Sequence, residues 1–202
     1  VARDAAGTVH EISSSFVEGA EKESLITIDV DLLSDREMNE LERELLLVLD
    51  DVGVVVDSYA AMRLRVEKLI EELKKNAPKV EQLDESIAFL QWIYDGYFVF
   101  TGCAEFELHV DSDQVSLQEV AGSACGVLQK YRGDLRHESV DHLSEGVKAL
   151  YEDEQILTVT KSSKRSRVHR DVYSDYVVVK RFNSDGQPIG EIRFLGLYTT
   201  QF

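Results

Sequence analysis

The 202-residue chain has only two cysteines, Cys103 and Cys125, 22 positions apart. With no CxxC and no HExxH, they give no metal-cage signature. Such isolated thiols fit a reducing cytoplasm better than a disulfide scaffold, and two of them permit at most one bridge. A glycine-rich nucleotide loop is also missing, so nothing announces a dinucleotide-binding fold. No apolar run reaches the length of a membrane span, and the opening VARDAAGTVHEISSSFVEGAEKE has no basic start followed by an apolar core, so no signal peptide is expected. Basic residues are scarce: 22 Lys and Arg face 38 Asp and Glu, for a net charge of −16. That balance argues against general nucleic-acid or anionic-membrane binding. From the residues alone the chain would not be taken for an enzyme.

What is present is a globular composition, 44% hydrophobic, sufficient for one core or one core with an appended element. Leu25 to Val30 alternates Leu25, Thr27 and Asp29 against Ile26, Ile28 and Val30, which predicts a strand with one buried face. The 24 residues before it lack that pattern, so the strand reads as the last edge of a module whose remainder lies upstream. A helix then begins at Ser34, with Glu37 three residues on completing a capping box. Met38, Leu41, Leu45, Val48, Val52, Val55, Tyr59, Met62, Val66, Leu69 and Leu73 follow at gaps of three and four, a heptad seam that ends before Pro78. Gly53 is its weak link, costing about 1 kcal/mol relative to Ala if exposed. A helix of roughly 60 Å outreaches a small domain. It is therefore read either as an arm packed on its own domain or as a surface for self-association or another domain. Leu46, Leu47, Val54 and Val56 widen the apolar face and favour burial on two sides.

Beyond Pro78, Asp84 or Ser86 can cap a short helix through Tyr94 that Gly96 would end. Tyr97 to Val110 reads as a strand or a bent pair, with Phe98, Phe100 and Gly102 on one face and Phe106, Leu108 and Val110 continuing it. Trp92, Tyr94, Tyr97, Phe98 and Phe100 are expected in the core rather than as a stacking platform. The acidic stretch from Asp111 to Glu154 is poorly patterned except for a helix over Ser139 to Tyr151, after which Ile156 to Thr160 resumes strand character. The clearest element is a hairpin: Tyr176 to Val179, a turn at Asn183-Ser184-Asp185-Gly186, and a return strand from Ile189 to Tyr198. Gly190 and Gly196 inside that return strand mark bulges or close approach of another backbone, the bulge being the plainer expectation. The resulting fold class is α+β: a mainly antiparallel sheet with short helices behind a long helix, compatible with PAS-like, ACT-like and other small sheet arrangements.

Residues 158–202 hold eight Lys or Arg against four Asp or Glu, a local +4 in an acidic chain. Lys161, Lys164, Arg165, Arg167, His169 and Arg170 form a basic, serine-rich strip whose readings are anion or effector binding and interdomain contact. No nucleophile has a signature pairing it with His169, so a structural role is favoured over catalysis.

Two blocks of residues go further. Arg165-Ser166-Arg167-Val168-His169-Arg170 with Tyr173, Asp175-Tyr176, Val179-Lys180-Arg181-Phe182, Gly190-Glu191 and Arg193 to Thr199 is one, and Ala88-Phe89-Leu90, Trp92-Ile93 and Asp95 to Gly102 is the other. Both resemble segments of the large bacterial NAD-specific glutamate dehydrogenases, and the match extends from about Ile26 onward. The resemblance implies the amino-terminal, non-catalytic region of that family, with ACT-like modules. It further implies that NAD and the oxidation of L-glutamate to 2-oxoglutarate and ammonium belong to a distant dehydrogenase domain. On that basis residues 1–33 are the remnant of an ACT-like module, 34–77 a connecting helix and 78–202 a regulatory or structural domain. No catalytic, cofactor or metal residue is expected within the chain. The expected partners are other domains of the same polypeptide, a second copy in a homo-oligomer, and a small effector, with neither nucleic acid nor membrane. The alternative is a freestanding cytoplasmic interaction module.

Overall fold

The computed structural model describes residues 1–3, 6–13, 15, 26–111, 114–131 and 155–199, and the helix expected over Ser139 to Tyr151 lies outside them. The chain divides into two compact units, Val1–Leu41 and Glu42–Phe202. In the first, β1 (Ala2–Arg3) pairs antiparallel with β2 (Val9–Glu11). The strand expected at Leu25 to Val30 is not formed: Ile26 to Val30 lie in no strand, and Ile26, Ile28 and Val30 are exposed. Alternation alone does not make a strand, because its backbone groups need a neighbouring strand to bond.

The long helix α1 (Asp35–Asn76) has 42 residues and so is about 63 Å long. Its capping box is formed: the Ser34 amide and hydroxyl both donate to Glu37 Oε2, at 2.8 and 2.7 Å, and the Glu37 amide donates to Ser34 Oγ at 3.4 Å. The predicted seam is buried only in part. Val55, Met62, Val66, Leu69 and Leu73 are in the core, while Met38, Leu41, Leu45 and Tyr59 are exposed. Asn76 ends the helix and anchors it by donating through its side-chain amide to the Phe182 carbonyl at 3.2 Å.

The second unit is built on an antiparallel sheet of strand order β4-β3-β8-β7-β6, with β5 also on β3. These strands are β3 (Phe98–Asp111), β4 (Gln114–Glu119), β5 (Cys125–Gly126), β6 (Leu157–Arg165), β7 (Tyr173–Phe182) and β8 (Pro188–Tyr198). Helix α2 (Gln82–Trp92) precedes β3, and the four-residue helix α3 (Val127–Lys130) follows β5. Asp84 and Ser86 lie inside α2 instead of capping it, whereas Gly96 at φ 105° breaks the helical path as its residue type predicts. The buried seam of α1 joins Leu90, Ile93, Phe98, Phe100, Val177, Val179, Ile192 and Phe194 in the main core. A smaller cluster of Ala104, Phe106, Ala124, Leu128 and Leu195 forms separately.

A bulge at Thr101 explains that separation. Phe100 pairs with Gly196 and Gly102 with Leu195, so Thr101 is extra, and the residues beyond it change faces. Cys103 thereby continues the main core of Phe98 and Phe100, and Phe106 goes to the smaller cluster. The single face expected from Phe98 through Val110 is corrected accordingly.

The β7–β8 hairpin closes as predicted, with Gly186 at φ 75° and Asn183 Oδ1 accepting from the Asp185 and Gln187 amides at 3.0 and 2.9 Å. Of its internal glycines, Gly196 answers to close approach and Gly190 to close approach beside a bulge at Ile189. A Cβ on Gly196 would lie 2.2 Å from the Val99 carbonyl oxygen and 2.3 Å from the Phe98 ring, and one on Gly190 2.1 Å from the Phe106 carbonyl oxygen. One irregularity in pairing lies opposite Gly196, at Thr101 of β3, and the other lies in β8 itself, where Ile189 is extra between Pro188 and Gly190. Among the aromatics, Phe98 and Phe100 are buried, but Trp92 is 40% exposed and stacks on Tyr97 with ring centroids 5.0 Å apart. The expectation of a wholly buried aromatic series fails at Trp92, the last residue of α2.

Candidate functional site

The basic strip runs from the end of β6 through a tight loop into β7. β6 loses register with β7 between Lys161 and Arg165. The loop then holds itself: the Ser166 amide donates to the Val172 carbonyl at 2.8 Å, and Ser166 Oγ accepts from the Val168 amide at 3.1 Å. Val168 is buried in the main core and pins the loop. His169 at the tip has φ 71°, a left-handed conformation that His adopts more readily than most side chains.

This construction divides the strip. Lys164, Arg165 and Arg167 line a cavity of about 190 Å³ with Asp51, Thr101, Tyr131, Ser162, Ser166, Ser174 and Tyr176. Lys161 and Arg170 instead face a second depression beside Tyr173, Asp175 and Tyr198. There Lys161 Nζ lies 2.8 Å from buried Asp175, and Arg170 donates to the Tyr198 carbonyl. Burial, and then Asp175, push the Tyr198 hydroxyl up to about 12. His169 lines neither cavity.

Asp51 is the centre of the first cavity. Only 2% exposed, it sits on α1 and accepts from Lys130 Nζ at 2.6 Å and from the Tyr131 hydroxyl at 2.9 and 3.1 Å. Arg167 Nη1 is 3.3 Å from the Tyr131 oxygen and 3.9 Å from Asp51 Oδ2. Lys130 also pairs with Asp50, and these two carboxylates hold its ammonium well above the ordinary range. Burial, and then the bond to Asp51, keep the Tyr131 hydroxyl protonated beyond its usual pKa. On the other wall Arg165 is held by Asp171 at 2.6 Å.

A buried carboxylate faced by three basic side chains and several hydroxyls can hold a small ligand with both an ammonium and an acidic group. Its volume corresponds to about six waters, far below the ≈ 300–1,000 Å³ of drug-sized pockets. Such a space suits a small metabolite and not a dinucleotide. Among the described residues no group of three or more His, Cys, Asp and Glu is gathered as a metal site, and no helix is long and apolar enough to cross a membrane.

Sequence reasoning found the basic wall and missed the acidic one. Asp51 stands three residues after Val48 and four before Val55, beside Val52, so it sets a charge on the flank of the apolar stripe of α1. That placement was the available signal, since a carboxylate beside a buried face needs partners. Lys130 and Tyr131 carried none, coming as they do from the poorly patterned middle of the chain.

No family model matches the chain. It is 35% identical over 182 residues to the NAD-specific glutamate dehydrogenase of Halomonas elongata, a match covering 88% of this chain and 11% of that protein. Against the enzyme of the same name from Pseudomonas aeruginosa it is 31% identical over 205 residues, covering 99% of this chain and 13% of that protein. The chain thus spans only about an eighth of the length of these relatives. Among solved structures, the sensory domain of the Campylobacter jejuni chemoreceptor Tlp3 is 13% identical, covering 79% of this chain and 61% of that one, with a TM-score of 0.24. The same chemoreceptor's ligand-binding domain in complex with L-norvaline is 12% identical, covering 85% of this chain and 63% of that one, at 0.21. Likenesses so remote carry no argument about fold or ligand. Along nearly its whole length, the chain is similar to a segment of these NAD-specific glutamate dehydrogenases.

Proposed function

We propose that this chain is a non-catalytic, amino-terminal regulatory and assembly region of a cytoplasmic NAD-dependent glutamate dehydrogenase, and that its Asp51 cavity takes an amino acid as effector. The parent reaction converts L-glutamate, NAD and water to 2-oxoglutarate, ammonium and NADH at a catalytic domain elsewhere in the polypeptide. One observation carries the effector reading: buried Asp51 lines a metabolite-sized space together with Lys164, Arg165 and Arg167, of which Arg167 comes within 3.9 Å of its carboxylate. An ammonium group would replace Lys130 at Asp51, and a carboxylate would meet the basic wall.

For assembly, the support is the exposed apolar run Leu45, Leu46 and Leu49 on α1. Buried against other domains of the same polypeptide, or against a second copy, it would cease to be exposed. A freestanding interaction module would use the same run, but the length of the matched relatives favours a part of a larger enzyme.

Thermal melting of the chain against a panel of amino acids tests the effector reading. The expected outcome is a concentration-dependent rise in Tm for one or a few acidic or polar members, abolished in Asp51→Asn and in Arg167→Met. A panel without any shift, from a chain that melts cooperatively, would overturn it.

A further inference from the structure

Cys103 and Cys125 are brought together by the fold although the sequence holds them far apart. They are direct partners across the antiparallel β3–β5 pair, next to the pair Gly102 and Gly126. That glycine pair sets the separation: a Cβ on Gly126 would lie 2.2 Å from the Thr101 carbonyl oxygen, so only glycine lets β5 come so near β3. The two Sγ atoms are 2.8 Å apart. Facing residues of an antiparallel pair have Cα atoms about 4.5–5.5 Å apart, within the 4.4–6.8 Å that a disulfide spans.

One cation serves both thiols. Arg65 Nη1 lies 2.9 Å from Cys103 Sγ and 3.7 Å from Cys125 Sγ, and it is fixed by donating to the Ser123 carbonyl. Its Nε lies 3.6 Å from Glu105. The thiols differ in access, Cys103 being fully buried and Cys125 only partly so.

We infer that Cys103 and Cys125 form a peroxide-sensitive modification site that closes to a cross-strand disulfide, with Cys125 as the attacking thiol and Cys103 as the resolving one. In the first step the Cys125 thiolate attacks one oxygen of hydrogen peroxide; the O–O bond breaks, Cys125 becomes a sulfenic acid, and the departing hydroxide takes a proton to leave as water. Cys103, its thiol proton passing to the sulfenic oxygen, then attacks the Cys125 sulfur, and a second water leaves as the S–S bond forms. Two thiols lose two electrons and two protons, and one peroxide is reduced to two waters.

The assignment of roles agrees with the electrostatics. The hydrogen bond from the Cys103 thiol, and then Arg65, bring Cys125 down to about 7, while its bond to Cys125 and burial push Cys103 up. The bridge would also clamp β5, which leads directly into α3 and so to Val127, Leu128 and Tyr131 of the Asp51 cavity.

Because the chain has no other cysteine, labelling counts are unambiguous. The chain is treated with stoichiometric hydrogen peroxide at neutral pH, denatured in N-ethylmaleimide, and weighed by intact-mass spectrometry. The expected product takes no label, is lighter than the reduced chain by two hydrogen atoms, runs as a monomer without reductant, and recovers two labels after dithiothreitol. One or two labels after peroxide, or a disulfide-linked dimer, would overturn the inference. In Cys103→Ser the sulfenic acid should persist on Cys125 and be trapped by dimedone. Should that variant not fold, the wild-type iodoacetamide rate supplies the second arm: its first thiol should react with a midpoint below the ≈ 8.5 of free cysteine, and a midpoint at or above it would overturn the assignment of Cys125.

Discussion

The two ends of α1 share one spacing and meet opposite fates. From Met62 to Leu73 the seam is sealed in the core: Met62 is 0% exposed. Toward the amino terminus the same three-four rhythm is open, with Leu45 at 47%. Periodicity says which residues share a face of a helix; it does not say what covers the face. Coverage comes from elements far away in sequence, here β3, β7 and β8. Dispersion and the hydrophobic effect therefore stabilise one end of the helix in this chain, while the other end relies on its cap and its intrinsic propensity.

The sharpest test of that difference is a matched pair of truncations. Met62→Ala removes a buried side chain from a packed core and should destabilise the second unit by about 2–5 kcal/mol in urea unfolding. Leu45→Ala removes one already in water and should change stability by less than about 0.5 kcal/mol. Equal losses at both positions would show that the amino-terminal face is covered in solution, and the comparison would break.

Asp51 marks the place where the two regimes meet, and its removal gives the next largest effect. It lies beside the stripe, next to Val52 between half-buried Val48 and buried Val55, and its partners Lys130, Tyr131 and Arg167 come from α3, the residue after it and the β6–β7 loop. Asp51→Ala takes the carboxylate from beneath a lysine, so the loss should be roughly 1.5–3 kcal/mol, the range for hydrogen bonds to charged groups. Protection of the α3 amides from hydrogen exchange should fall with it. Unchanged exchange would mean that α3 is held by Leu128 alone.

How much of this was legible follows the range of the interactions. The Ser34 cap, the Asn183-to-Gly186 turn, the end of α1 before Pro78 and the helix break at Gly96 were readable, because each depends on residues within a few positions. Gly196 was recognisable as special, yet its reason is the Val99 carbonyl and the Phe98 ring, nearly a hundred positions away. The bulge at Thr101 left no local mark, and with it the change of face that sends Cys103 to one core and Phe106 to the other was hidden. The candidate site shows the same split. Its basic wall is a contiguous run, and its acidic centre is a single Asp on a helix more than a hundred residues before Lys164. The failed strand at Ile26 to Val30 has the complementary cause: its pattern was clear, and no described strand pairs with it.

The smallest effect concerns the open end of α1, where the cap acts without a core. Glu37 accepts from both the hydroxyl and the amide of Ser34, and these bonds, the hydroxyl's first, hold its carboxyl below the usual carboxylate range. A carboxyl whose folded pKa is depressed stabilises the folded form above the ordinary value, and that stabilisation is lost as pH falls through the lowered one. The amino-terminal turns of α1 should therefore fray on acidification, while the turns around Met62, sealed by burial in the core, stay protected until the core itself unfolds. In Ser34→Ala the hydroxyl bond is gone, so the Glu37 titration followed by NMR should move upward toward the ordinary range, and the fraying should begin at higher pH. A Glu37 midpoint unmoved by the substitution would show that the cap contributes nothing there, leaving helix propensity alone to hold the open end.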